Sequence, residues 1–146
     1  YYVQAASYTD ASNPNERCQG SYRTEDFFPI EERGQFELLD GDTNICPGVT
    51  VRVAKGPSRG HQITLITLGG ERIAFLGDLV PTPFHLNLAS IPAYDVYPED
   101  TLEMKREILD QAERDGWLLV FSHGYDRKAG YLERWNGQRA LRPIEL

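Results

Sequence analysis

The spacing of apolar and polar positions changes character several times along the chain. "YYVQ" (1–4) is a short strand candidate, and "AASYTDAS" (5–12) is weakly helical. Residues 13–34 mix Pro14, Gly20, Pro29 and many polar groups, which predicts a long irregular connection with one brief helix capped by Ser21 or Thr24. Strand signals follow quickly. "QFELL" (35–39) precedes a turn cluster, "DGDTNICPG" (40–48), and "VTVRVA" (49–54) then alternates and is rich in β-branched residues. "QITLITL", the turn "GGE" and "RIAFLGD" predict a hairpin, because Gly69-Gly70 supplies the positive φ that tight hairpin turns demand.

After Asp78 the alternation stops. Residues 80–100 carry four prolines and cannot form one regular element. A helix is predicted next, with Thr101 as N-cap and Glu103 and Glu107 toward its positive end. Leu102, Ile108, Leu109 and Ala112 give it an apolar stripe, and Gly116 ends it. The charged positions, Glu103, Lys105, Arg106, Glu107, Asp110, Glu113 and Arg114, read as a solvated face. "WLLVF" (117–121) is a near-continuous apolar run that suits a central strand covered on both faces, and Trp117 to Phe121 read as core. "YLERW", the turn Asn136-Gly137 and "RALRPI" predict a terminal hairpin. One long helix crossing between buried strands gives a layered α/β fold rather than an all-β barrel.

Length and charge narrow the function. At 146 residues the chain is one domain with room for a real core. A net charge of −7, with basic residues scattered among the acidic ones, argues against a nucleic-acid partner. No apolar run approaches the ~18 residues needed to cross a bilayer, so no membrane partner is expected. Cys18 and Cys46 form no CxxC pattern and read as two free thiols in a reducing, cytoplasmic setting, with a single disulfide as the other option. The opening "YYVQAAS" has no initiator Met and no signal-peptide pattern. It reads as a buried strand entered mid-stream, which predicts a piece of a larger protein.

The chemistry gathers around three histidines. His61 and His123, together with Asp78, fall where strands give way to turns, the usual place for chemistry. Imidazole and carboxylate are ligands that borderline divalent metals accept, and the neighbouring Gly60, Gly77 and Gly124 would let a backbone or an ion come close. For each histidine taken alone, a hydrogen-bonded structural role is the commoner outcome. His85 in "PTPFHL" and Tyr94 in "IPAYD" are candidates for walling a substrate pocket, with packing as the alternative for both. The adjacent acids Glu31-Glu32 invite a two-carboxylate glycosidase reading, but adjacent residues rarely converge on one bond.

In order, "GPSRGHQ", "FLGDL" and "WLLVFSHG" resemble the second half of a metallo-β-lactamase-fold hydrolase, and the helix-and-strand unit between them extends the resemblance over essentially the whole chain. The resemblance implies a four-layer αββα sandwich, of which residues 1–146 cover mainly the C-terminal portion. It further implies that His61, Asp78 and His123 are metal ligands, Asp78 bridging two divalent ions, with zinc expected and manganese or iron able to replace it. The family's HxHxDH motif is absent, so the implied ligand set is incomplete in these residues. Ser58 and Arg59 stand where the common turn has Thr and Pro, and Arg59 would change the charge at the rim. Pro81 stands where the lactone-cleaving branch has a tyrosine, which weighs against a lactonase.

The leading expectation is therefore a metal-dependent hydrolase in which Asp78 helps hold the catalytic ions, with a small-molecule ester, lactone, thioester or amide as substrate. The alternative is a catalytically incomplete fragment or scaffold that associates, as a homo-oligomer or with the missing N-terminal half, through exposed strand edges. A redox member of the same fold would need a flavodoxin-like domain or a cysteine near the metals, and neither is visible.

Overall fold

The computed structural model describes residues 1–145. Nine strands and three helices appear in the order β1 (Tyr2–Gln4), α1 (Ala5–Ser12), α2 (Thr24–Glu32), β2 (Glu37–Leu39), β3 (Thr43–Cys46), β4 (Val49–Ala54), β5 (His61–Leu68), β6 (Glu71–Phe75), α3 (Pro98–Asp115), β7 (Leu118–Val120), β8 (Ala129–Trp135) and β9 (Gln138–Pro143). Strands β3 to β9 form one seven-stranded sheet in sequence order, and β1 pairs with β2 in a separate parallel pair. Every neighbouring pair in the large sheet is antiparallel except β6 and β7, where Ile73, Ala74 and Phe75 face Leu118, Leu119 and Val120 in parallel register. A parallel pair needs a crossover, and α3 supplies it.

The core lies between α3 and one face of the sheet. Met104, Ile108, Leu109 and Ala112 of α3 meet Ala54, Ile63, Ala74, Leu119 and Leu141, and Trp117 and Phe121 close the ends of the same cluster. On β7 only Leu119 is fully buried, whereas Leu118 and Val120 on the opposite face are half-buried. Among the described residues this strand is thus covered fully on one face rather than on both. The predicted hairpins at Gly69-Gly70 and Asn136-Gly137 both form, and Gly116 ends α3 in the left-handed conformation.

Three local expectations need correction. The turn cluster at 40–48 contains a strand, β3, which pairs with β4 across a bulge at Asn44/Cys46. Helix α2 is entered from Arg23, with neither Ser21 nor Thr24 capping it. Helix α3 starts three residues earlier than Thr101, at Pro98, with Glu99 and Asp100 in its first turn. A proline at the first helical position followed by acids is itself a helix start, because the missing N–H would have had no partner there. Thr101 is instead fully buried and donates its hydroxyl to Tyr97 O (3.0 Å). Gly56 packs directly against it: a Cβ at Gly56 would lie 2.1 Å from Thr101 Oγ1. Pro57 O accepts the N–H groups of Val96 (2.9 Å) and Tyr97 (3.2 Å), which fastens the 55–60 turn to the start of α3.

Candidate functional site

His61, Asp78 and His123 come together at one end of the large sheet, reached by three different routes. His61 is the first residue of β5, Asp78 sits in a single 3-10 turn (Gly77–Leu79) just beyond β6, and His123 lies three residues past the end of β7. The parallel register of β6 and β7 is what delivers the last two side by side. Asp78 N–H donates to His61 Nε2 (3.1 Å), and His123 Nε2 lies 3.1 Å from Asp78 Oδ1. Ser122 Oγ donates to Gly77 O (3.1 Å) and His123 N–H to Pro81 O (2.9 Å), so the loop after β7 is stitched to the loop after β6.

Gly77 makes this approach feasible. It adopts φ +54°, and a Cβ there would lie 2.7 Å from His61 Nε2. Gly60 and Gly124 also sit at close approaches, but the atoms near them belong to the protein: Ser7 and the Gln4 side chain at Gly60, and the Arg127-Lys128 backbone at Gly124. Burial lowers the His61 pKa, with the Asp78 carboxylate opposing, so the ring is neutral at pH 7. With Nε2 accepting, the proton resides on Nδ1, which is buried without a partner among the described residues. The Asp78 and His123 side chains are more open, about 44% and 64% exposed, so this end faces solvent at the carboxylate and at the second imidazole.

Two clefts flank the row. The first, about 440 Å³, opens beside Asp78 and is lined by Arg17, Cys18, Tyr22, Ser58 and Tyr94 among others. The second, about 510 Å³, opens beside His123 and includes Phe84, Leu86, Tyr125, Arg127 and Arg139. Tyr94, a candidate pocket wall from the sequence, does line the first cleft. His85 lines neither; its Nδ1 lies 2.8 Å from Thr82 Oγ1, and burial lowers its pKa. Arg59 pairs with Asp10, fastening the 55–60 turn to α1 rather than placing a free charge at the rim.

The wall loop 80–97 depends on a residue that the charge pattern misassigns. Lys105 is fully buried instead of solvated, and its Nζ donates to Asn87 O (2.9 Å), Leu88 O (3.4 Å) and Ser90 O (2.8 Å). Burial pulls its pKa down to about 8, with Asp95 opposing. Asp95 is buried too, with both carboxylate oxygens unpartnered among the described residues, and desolvation raises its pKa while Thr101 and Lys105 pull it down. The sequence did hold a signal for this: Lys105 occupies the same helical stripe as Thr101, Ile108 and Ala112, at spacings of four, three and four. Arg17 grips the same loop from outside, its Nη2 donating to Ala93 O (3.2 Å) and Asp95 O (2.8 Å), and no sequence pattern announced it.

A family model described as the metallo-beta-lactamase superfamily matches residues 2–123. The chain belongs to that superfamily. No curated protein sequence matches it. Among solved structures, a probable metal-dependent hydrolase from Staphylococcus aureus superposes with a TM-score of 0.82 at 23% identity, covering 99% of this chain and 53% of that one. The hydrolase AbOPH gives 0.83 at 19% identity over 99% and 55% of the two chains. The dizinc quorum-quenching lactonase AidC gives 0.74 at 14% identity over 99% and 54%. The chain thus spans about half the length of these metallo-beta-lactamase-fold structures, and the likeness concerns the fold.

The superfamily implies a metal, and the donor types here suit one: two imidazoles and a carboxylate are ligands of borderline divalent ions, and His61 is neutral as a ligand must be. Their present arrangement is a hydrogen-bonded row. Among the described residues, no three His, Cys, Asp or Glu side chains surround a common point. The row therefore fits part of a metal-binding set and does not make a complete one.

Proposed function

We infer that the chain serves a metal-dependent hydrolase and that His61, Asp78 and His123 are its contribution to binding divalent ions, zinc first, with manganese or iron suiting the same donors. The observation that carries this reading is the convergence of the three side chains at one sheet end, His61 through Asp78 N–H and His123 through Asp78 Oδ1. A bound pair of ions would lower the pKa of a water and polarise the substrate oxygen, the chemistry needed to split an ester, lactone, thioester or amide into an acid and its alcohol, thiol or amine. Asp78 would be the carboxylate shared between the ions, and the buried, neutral His61 would offer Nε2 once that nitrogen is released from the Asp78 N–H. Tyr94 walls the cleft in which the small-molecule substrate lies, and His85 supports Thr82 in the lining of the second cleft, beside His123. The cysteines Cys18 and Cys46, both free, agree with a cytoplasmic setting.

A second reading rests on the half-buried Leu118 and Val120 and the exposed Phe75 on the sheet face away from α3. It makes the chain a catalytically incomplete unit that acts only when another polypeptide, or a second copy, covers that face. Metal analysis of the purified chain separates the two. The hydrolase reading expects bound zinc, manganese or iron near stoichiometry, and at least a roughly tenfold weaker hold on it in Asp78→Asn. A chain that retains no metal and elutes as a self-associated species would overturn it in favour of the second.

A further inference from the structure

Arg17 is the one cation among the described residues lining the cleft beside Asp78. Its position is built by the chain around it. The Asn15 side chain accepts the backbone N–H groups of Arg17 (3.0 Å) and Cys18 (3.1 Å), and Asn15 O accepts those of Cys18 and Gln19, closing a single tight turn. From that turn Nη2 spends its hydrogens on Ala93 O and Asp95 O. The guanidinium is thereby pinned at the rim, with Nε–H and the Nη1 hydrogens donating to no acceptor among the described residues. Several other arginines of this acidic chain, Arg52, Arg59, Arg72, Arg114, Arg134 and Arg139, lie within 4 Å of a carboxylate; among the described residues Arg17 meets none. A fixed guanidinium with free donors at the wall of a cleft is a receptor for an anionic oxygen.

We propose that this cleft selects substrates carrying a carboxylate away from the bond to be cleaved, read by Arg17, with Tyr22 and Tyr94 flanking the organic body between. In the metal-free chain two observations favour a monoanion over a phosphate dianion. Only one cation lines the cleft, and Asp78 and the buried Asp95 lie close by in a chain of net charge −7, so a second negative charge would be opposed.

The proposal deepens the hydrolase reading by naming its substrate class, but its binding arm stands without turnover. The full chain, as purified and again after EDTA, is titrated with phenylacetate, phenylacetamide and phenyl phosphate while the ring resonances of Tyr22 and Tyr94 are followed. Phenylacetate is expected to shift both rings in both preparations and to bind about fivefold more weakly to Arg17→Gln, a magnitude suited to a solvent-facing charge pair. Phenylacetamide should bind weakly and equally to both proteins. Because Arg17 also holds Ala93 O and Asp95 O, the decisive quantity is the ratio of phenylacetate to phenylacetamide affinity, which a change of cleft shape alone leaves unaltered, and Arg17→Lys, which keeps the charge, should recover part of the loss. Equal affinity for acid and amide, no effect of Arg17→Gln, or, after EDTA, tighter binding of phenyl phosphate than of phenylacetate would overturn the proposal. If turnover is present, the ratio of kcat/KM for phenyl hydrogen succinate to that for phenyl butyrate should fall about fivefold in Arg17→Gln. Absence of turnover with the binding pattern intact would count against the hydrolase reading alone.

Discussion

The two regions that meet at the functional end of the sheet are held by opposite means. The row of His61, Asp78 and His123 is placed by regular structure: His61 opens a strand paired over its whole length, and Asp78 and His123 follow two strands in parallel register. The wall loop 80–97 has almost no regular structure and is held by charge, with Lys105 binding three of its carbonyls from inside and Arg17 two from outside. Strands fix a side chain through many shared hydrogen bonds, so no single contact decides the outcome. A loop gripped by one buried ammonium concentrates its order in that group. The candidate donors are thus distributed over the scaffold, while the cleft wall hangs on a few atoms.

Substitutions in each region can break that contrast. Lys105→Met should have the largest effect, because it leaves three carbonyls without their donor and Asp95 without its counter-charge inside the protein. A loss of about 3 kcal/mol in unfolding free energy is expected from urea titration. A loss below about 1 kcal/mol would show that the loop stands without its buried charge. Gly77→Ala tests the other region. It forces a Cβ against His61 Nε2 and asks alanine to adopt φ +54°, at a cost of about 2 kcal/mol. Weaker metal retention should accompany it, and unchanged retention would mean that His61 is not a ligand. The smallest effect is a slope with pH. Lys105 titrates at about 8 in the folded chain against an ordinary 10.5, so between those values the unfolded chain holds more protons. Wild-type stability, measured relative to Lys105→Met, should therefore rise with pH across that window and be flat below it.

The candidate donors were legible in the sequence because their signals are local. His61, Asp78 and His123 each stand at the junction of a strand pattern and a glycine turn, and the Gly69-Gly70 hairpin turn fixed the register between the first two. The strand at Thr43–Cys46 was hidden because its partner, not its own polar residues, makes it a strand. The roles of Lys105 and Arg17 were hidden for a different reason. A lysine on a charged helix reads as solvent-facing until the long-range fold shows that its stripe is the buried one, and a loop arginine gives no periodicity to read. Thr101 was misplaced because its hydroxyl suits a cap, whereas the proline three residues earlier already begins the helix.

The strand directions carry one more consequence. β5 leaves the functional end, β6 and β7 both run toward it, and β8 leaves again. The turns at Gly69-Gly70 and Asn136-Gly137 and the close of α3 at Gly116 therefore gather at the far pole, a strand's length from any donor. That pole can lengthen, shorten or carry an appended module while the pole bearing His61, Asp78 and His123 keeps its geometry, which leaves the two ends of the sheet free to diverge on separate schedules.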